Sequence, residues 1–151
     1  MQYGYPEDSM KRPYGVLWFL GACVLAACLT PAELRATAPV RVSSVAGAYL
    51  PLATCVTNEL QSSRTESGMT YQLVDAAATK TARVMATARF PGGLFYTVPA
   101  PLLELAFNQA DDRTVKIEAR RSVGGYSLES ASWPIIEQCA GQKPSAAAPV
   151  G

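Results

Sequence analysis

The sequence predicts an α+β domain: a four- to five-stranded antiparallel sheet flanked by an N-terminal and a C-terminal helix on one face. Three observations carry this expectation. Apolar residues recur at helical spacing at Leu52, Val56 and Leu60, and again at Trp133, Ile136 and Ala140. Between these segments, residues 81–90 and 113–121 alternate apolar and polar with a period of two, as half-buried strands do. Turn signals separate the strands: Pro91, Gly92 and Gly93, then Ala110, Asp111 and Asp112. The chain has 151 residues, 49% hydrophobic and 17% charged, with a mean hydropathy of +0.09. Those values exclude wholesale disorder and a polytopic membrane protein. If the first 27 residues are removed, about 124 remain, enough for one domain that buries roughly two-thirds of its unfolded surface.

The N-terminus reads as an address. Met10 to Gly15 supply a basic start through Lys11 and Arg12, and residues 16–27 (VLWFLGACVLAA) carry no charge or strongly polar group. This is the layout of a secretory signal over residues 1–27. Twelve helical residues span roughly 18 Å, well short of a hydrocarbon core of roughly 30 Å, which disfavours a permanent membrane span. Glu7 and Asp8 precede the basic pair, so translation from Met10 would give a more ordinary signal. The apolar run ends in Leu25, Ala26, Ala27 and Cys28. This ending resembles the lipobox of bacterial lipoproteins.

The resemblance implies that the signal is cut before Cys28 and that Cys28 is diacylated on sulfur, its new amino group often being acylated as well. Two or three acyl chains hold a protein on a bilayer where one binds only reversibly. Leu29 stands where the family's inner-membrane retention signal usually has Asp. The implied location is therefore the periplasmic face of the outer membrane, with the inner membrane as the alternative. Leu20, Gly21, Ala22 and Cys23 form a poorer match that cuts the apolar stretch to seven residues, and the alternative to a lipobox is an ordinary cleaved signal with a chance cysteine, which the context disfavours.

With Cys23 lost in the signal and Cys28 acylated, Cys55 and Cys139 remain in a compartment where disulfides persist. Each lies in a helix-like segment near one end of the folded region, and one bond between them is expected. A redox pair or a soft metal site is the functional alternative. It lacks a CxxC motif and a third ligand close in sequence.

Along the mature chain, residues 28–48 mix Pro, Ala, Ser and Thr without sustained periodicity and are expected to form a lipidated tether. The globular domain is placed at 49–141. Its first helix covers 50–60, with Pro51 suited to a first turn, and residues 61–68 form a polar loop. Strands follow at 70–75 and 81–90, where Ala82, Val84, Ala86, Ala88 and Phe90 share one face. Further strands are expected at 94–98 and 102–108, with Pro99 and Pro101 interrupting the pairing at a bulge or an edge. The strand at 113–121 places Val115, Ile117 and Ala119 inward. Residues 122–132 read as a Gly- and Ser-rich connection. Ser132 then caps a short helix with Trp133 and Pro134 in its first turn and Gly141 beyond its end. Residues 142–151 read as a disordered tail. This order of elements resembles small proteobacterial lipoproteins without an assigned activity, and implies none.

Composition excludes several function classes. The segment after the signal carries 11 basic and 10 acidic residues, and no basic cluster or RNA-binding signature is present, so nucleic-acid binding is not expected. Histidine is absent, which removes Ser/His/Asp and Cys/His nucleophile activation and every His-containing metal site. The Gly92–Gly93 and Gly124–Gly125 doublets lack the Lys-Ser/Thr of a phosphate loop. No cofactor, metal or catalytic residue is assigned. Asp111 and Asp112 read as turn chemistry rather than an acid/base pair, and Lys80 has no SxxK spacing for a Ser/Lys dyad.

The remaining candidates are surfaces. Arg83, Arg89, Lys116 and Arg120 share strand parity and form a candidate interaction face, diluted by Glu118 and Glu104. Phe95, Tyr96, Phe107, Tyr126 and Trp133 suit either a ligand groove or core packing. The expected function is a non-enzymatic accessory or interaction domain, anchored to the membrane through its acyl chains and binding an envelope protein through its sheet face or an exposed edge. The alternatives are a small-ligand-binding or hydrolase-inhibitor module using a protruding loop at 91–101 or 122–131, and a carboxylate-based glycan-active enzyme, which needs two converging acids.

Overall fold

The computed structural model describes residues 29–63, 68–91, 94 and 96–141. The signal, Cys28 and the tail lie outside the described residues. The elements run α1 (Pro31–Ala36), β1 (Arg41–Ala46), α2 (Tyr49–Ser63), β2 (Met69–Ala76), β3 (Thr81–Pro91), β4 (Thr97–Gln109), β5 (Thr114–Arg121) and α3 (Tyr126–Gly141). The strands form one antiparallel sheet in the order β1-β5-β4-β3-β2, so the fold is the α+β arrangement expected from the sequence.

Alternation builds the core. Val84, Leu105 and Ala119 lie in line across β3, β4 and β5, as do Ala82, Phe107 and Ile117. These side chains join Leu52, Ala53, Val56 and Leu60 of α2 and Leu128, Trp133, Ile136 and Cys139 of α3 in one buried cluster. Both long helices therefore cover the same face. Cys55 and Cys139 are joined by a disulfide, with Cα atoms 5.9 Å apart, which bonds α2 to α3 at their contact.

One side chain organises the far end of the sheet. The Gln109 amide donates to the carbonyls of Gly47, Asp111 and Thr114 at 3.2, 2.6 and 3.3 Å. Its Oε1 accepts from the Tyr49 backbone N–H at 2.9 Å, an N-terminal helix donor that would otherwise lack a partner. Gln109 thus joins the β1–α2 connection to the β4–β5 turn, beside the backbone bond from Gly47 N to the Arg113 carbonyl at 2.8 Å.

Three expectations are corrected. First, the expected tether at 28–48 contains α1 and β1. Thr30 and Glu33 make a reciprocal capping box, with Thr30 Oγ1 accepting from Glu33 N at 3.2 Å and Glu33 Oε2 accepting from Thr30 N at 2.6 Å. β1 then pairs with β5 from Arg41↔Ala119 to Ala46↔Thr114. As an edge strand it buries little, which is why it shows no clear alternation.

Second, α3 begins at Tyr126, not at Ser132, and Pro134 lies inside it. The Gly124–Gly125 turn immediately precedes the helix, and Gly125 is pressed against the Leu102 carbonyl, where a β-carbon would collide. Pro134 withholds a donor from the Ser130 carbonyl, and both residues are exposed, so water can satisfy that group.

Third, the expected bulge at the prolines is present, but β4 runs through it as one strand and not two. The register slips by one residue at Leu102, so that Ala86 faces Leu103 but Thr87 faces Pro101. Gln109 N donates to Lys80 O at 3.0 Å, so odd-numbered residues of β4 point their backbone groups at β3 below the slip. Beyond it the parity reverses and Pro99 and Pro101 turn their nitrogens away from β3. β5 ends at Arg121 opposite Leu103, leaving that side unpaired.

Candidate functional site: a basic sheet face and an apolar arm

The second face of the sheet carries three of the four predicted cations. Arg83, Lys116 and Arg120 share it by register with Glu104, Ala106 and Glu118. This face is not fully open, because α1 lies against β4 and β5. Leu34 of α1 is completely buried, as is Glu104, and Met85, beside Glu104 across the β3–β4 ladder, is 7% exposed. Arg35 Nε donates to Glu104 Oε2 at 2.8 Å. The α1 segment is too short to be stable alone, and the buried leucine with this ion pair explains its position.

Most cations on this face are already paired. Lys116 Nζ lies 2.9 Å from Glu118 Oε1, and Arg120 Nη2 donates to Glu118 Oε2 at 2.7 Å. Arg120 Nε also donates to the Thr37 carbonyl at 3.1 Å. Lys116 and Arg120 both hold the Glu118 carboxyl below the usual range, with the Lys116 hydrogen bond as the larger cause. Arg83 is exposed beside Val74 of the outer strand and makes no ion pair among the described residues.

Arg89, the fourth predicted cation, is set apart. β2 pairs with β3 only as far as Met69↔Ala88, while β3 and β4 continue together to Pro91↔Thr97. Residues 89–91 and 97–99 therefore project as a two-stranded arm beyond the rest of the sheet. Phe90, expected inside by alternation, lies past the core and is 47% exposed; Leu94 and Tyr96 are 94% and 63% exposed. Arg89 is exposed beside them and, like Arg83, has no ion-pair partner among the described residues.

The other candidates resolve into structure. Asp111 Oδ1 accepts from the Arg113 backbone N–H at 2.9 Å, and this bond is the first cause of its lowered pKa. Lys80 occupies the left-handed region, with φ 48°, in the β2–β3 turn. Phe107 and Trp133 are buried, and Phe95 lies outside the described residues.

The sequence reading missed a corner built on Glu129. Trp133 Nε1 donates to Glu129 Oε1 at 2.6 Å, and Arg121 Nε lies 3.8 Å from Glu129 Oε2. The Arg41 guanidinium sits 4.0 Å from the Trp133 ring centre, and that of Arg121 sits 4.9 Å from the Tyr126 ring centre. These contacts tie α3 to β1 and β5. The i, i+4 spacing of Glu129 and Trp133 is the sequence signal that would have found this pair.

Among the described residues, no group of three or more Asp, Glu or Cys side chains is placed to hold a metal, and no helix is long and apolar enough to cross a membrane. The chain matches no protein-family model, no curated protein and no solved structure.

Proposed function

We propose that this chain is a lipid-anchored, non-enzymatic domain of the bacterial envelope, held through acyl chains on Cys28 at the periplasmic face of the outer membrane and serving as an accessory or interaction domain. The arm carries this reading: Phe90 on its paired strands and Leu94 and Tyr96 beyond the last pair are exposed, and none contributes to the core. The lipobox-like ending at Cys28 supports anchoring, and the Cys55–Cys139 disulfide suits an oxidising compartment. The buried acids are engaged internally, Glu104 with Arg35 and Glu129 with Trp133, which favours structural roles for them over a carboxylate cleft. The protruding arm also favours a second reading, a hydrolase inhibitor that inserts it into a cleft.

Crosslinking in intact cells of the full chain tagged at Gly151 tests the proposal. A single stoichiometric envelope component, lost when Arg83 and Arg89 are reversed in charge, is expected. Cys28→Ser should leave an uncleaved precursor without incorporated acyl label. Normal acylation of that variant would move the anchor to Cys23, and capture of a secreted hydrolase would favour the inhibitor.

A further inference from the structure

We propose that the β3–β4 arm seats its end in the lipid surface that carries the acyl chains. The proposal rests on the anchor reading above and names the component that the arm meets. Its first support is the length of chain between Cys28 and the fold. Only Leu29 separates Cys28 from Thr30, the cap of α1, so about 7 Å of extended chain joins them. The six residues of α1 add about 9 Å. The C-terminal end of α1 is fixed over the Glu104–Arg120 rung, through Arg35 to Glu104 at 2.8 Å and Arg120 to the Thr37 carbonyl at 3.1 Å.

That rung lies next to the place where the arm leaves the sheet, at Leu103↔Arg121. From Leu103 to Val98 the arm runs five residues, about 17 Å. Chain length thus keeps Cys28 within roughly 20 Å of that rung, and the outer part of the arm lies within the same distance of it. A lipid surface holding Cys28 is within the arm's reach, while the turns at 77–80 and 110–113 sit at the opposite end.

The second support is chemistry. Phe90, Leu94 and Tyr96 are exposed there, and Arg89, next to Phe90 on β3, is exposed and lacks an ion-pair partner among the described residues. An aromatic with a polar tip, two apolar side chains and an arginine suit the boundary between acyl chains and phosphates. The arm's outer edge argues against the competing occupant, an added protein strand. Pro99 faces that edge and has no N–H to offer a partner backbone, and Pro101, two residues further along β4, lacks one too.

The test uses the full-length protein, purified after export and reconstituted into vesicles of phosphatidylethanolamine and phosphatidylglycerol with brominated acyl chains. Leu94→Trp places a fluorophore on the arm, and Ala78→Trp places one in the exposed turn at the opposite end. Trp133 is 4% exposed and gives the background in both, while Trp18 leaves with the signal. The expected result is a loss of fluorescence and a blue shift for Leu94→Trp relative to unbrominated vesicles, with Ala78→Trp unchanged. Intact mass of the same preparation reads the acyl groups on Cys28.

Acylated protein whose Leu94→Trp signal is quenched no more than that of Ala78→Trp would overturn the contact and leave the anchor standing. Protein without acyl groups on Cys28 would overturn the anchor and the contact with it. In intact cells, a photo-crosslinking residue at position 94 should give lipid adducts; a discrete protein adduct would assign the arm to a protein partner and overturn the proposal.

Discussion

Arg35 reaches from the short N-terminal helix to the middle strand of the sheet, where its Nε lies 2.8 Å from Oε2 of Glu104. The two side chains are unequally placed: Arg35 is 46% exposed and Glu104 only 1%. Removing the arginine therefore leaves a carboxylate under α1 without its charge partner. Arg35→Ala should destabilise the chain by about 2 kcal/mol, because an unsatisfied buried charge costs at least as much as an unmade polar bond. Replacing both residues by leucine should recover most of that loss. Urea unfolding of the two variants checks the order, and an Arg35→Ala chain as stable as the parent would mean that the pair contributes nothing.

Glu118 gives the chain an acid-sensitive clasp. Its carboxyl is held below the reference value of 4.5, first by the Lys116 hydrogen bond and then by Arg120. A carboxylate with a lowered folded-state pKa contributes stability that is fully present above its unfolded value and is lost as pH falls through the folded one. Stability should therefore decline as pH drops below 4.5. Glu118→Gln should make that decline shallower, measured as urea midpoints across the acid range, while lowering stability at neutral pH.

Two neighbouring glycines should respond differently to one methyl group. A β-carbon at Gly125 would strike the Leu102 backbone carbonyl, whereas one at Gly124 would meet only the Leu102 Cδ2 at 3.4 Å. Gly125→Ala must move β4 or α3, and a loss of about 3 kcal/mol is expected, at the upper end of overpacking costs. Gly124→Ala should stay within about 1 kcal/mol of the parent. Thermal melts of the pair suffice, and equal melting temperatures would remove the close approach as a constraint.

Reduction should be expensive. The disulfide spans a sequence separation of 84 residues, and closing a loop of that size removes unfolded-chain entropy equivalent to about 4 to 5 kcal/mol. The denaturant midpoint should fall when a reductant is added, and the Cys55→Ala, Cys139→Ala double variant should start low and ignore the reductant. Free thiols titrated in protein taken directly from the cells that make it would show that the bond does not form in place.

Much of this fold was legible because period and burial agree in its interior. Val115, Ile117 and Ala119 alternate with polar neighbours, and Val56 and Leu60 repeat at helical spacing, since each faces the same core. The reading failed where an element buries little or where turn-type residues sit inside an element. β1 is an edge strand whose Val42 is 49% exposed, so its pattern carries no inward face. α1 was written in Thr30, Glu33 and Leu34 as a capping box ahead of an apolar residue, but the surrounding Pro, Ala and Thr composition masked it.

Pro134 resembles a helix start although it lies mid-helix on the exposed side, and the prolines of β4 announce the bulge that is present but not that a single strand runs through it. For the candidate surface, residue types were legible but their pairing was not. Arg83, Lys116 and Arg120 share a face as parity requires, yet only the fold shows that Glu118 neutralises two of them. Phe90 continues an inward alternation past the end of the core, and where the core stops is a tertiary fact.

The disulfide divides the chain mechanically as well as covalently. The loop it closes contains β2 to β5 with most of α2 and α3, leaving α1 and β1 outside. Tension applied to the chain ahead of Leu29 enters through those two outer elements. It is opposed first by Arg35 on Glu104, Arg120 on Thr37 and the β1–β5 ladder, all of which can re-form after release. The crosslinked remainder bears load only after they have parted. The molecule thus has a renewable outer section in series with a covalently closed inner one, so that a sudden pull at its N-terminal end can extend it without opening the core.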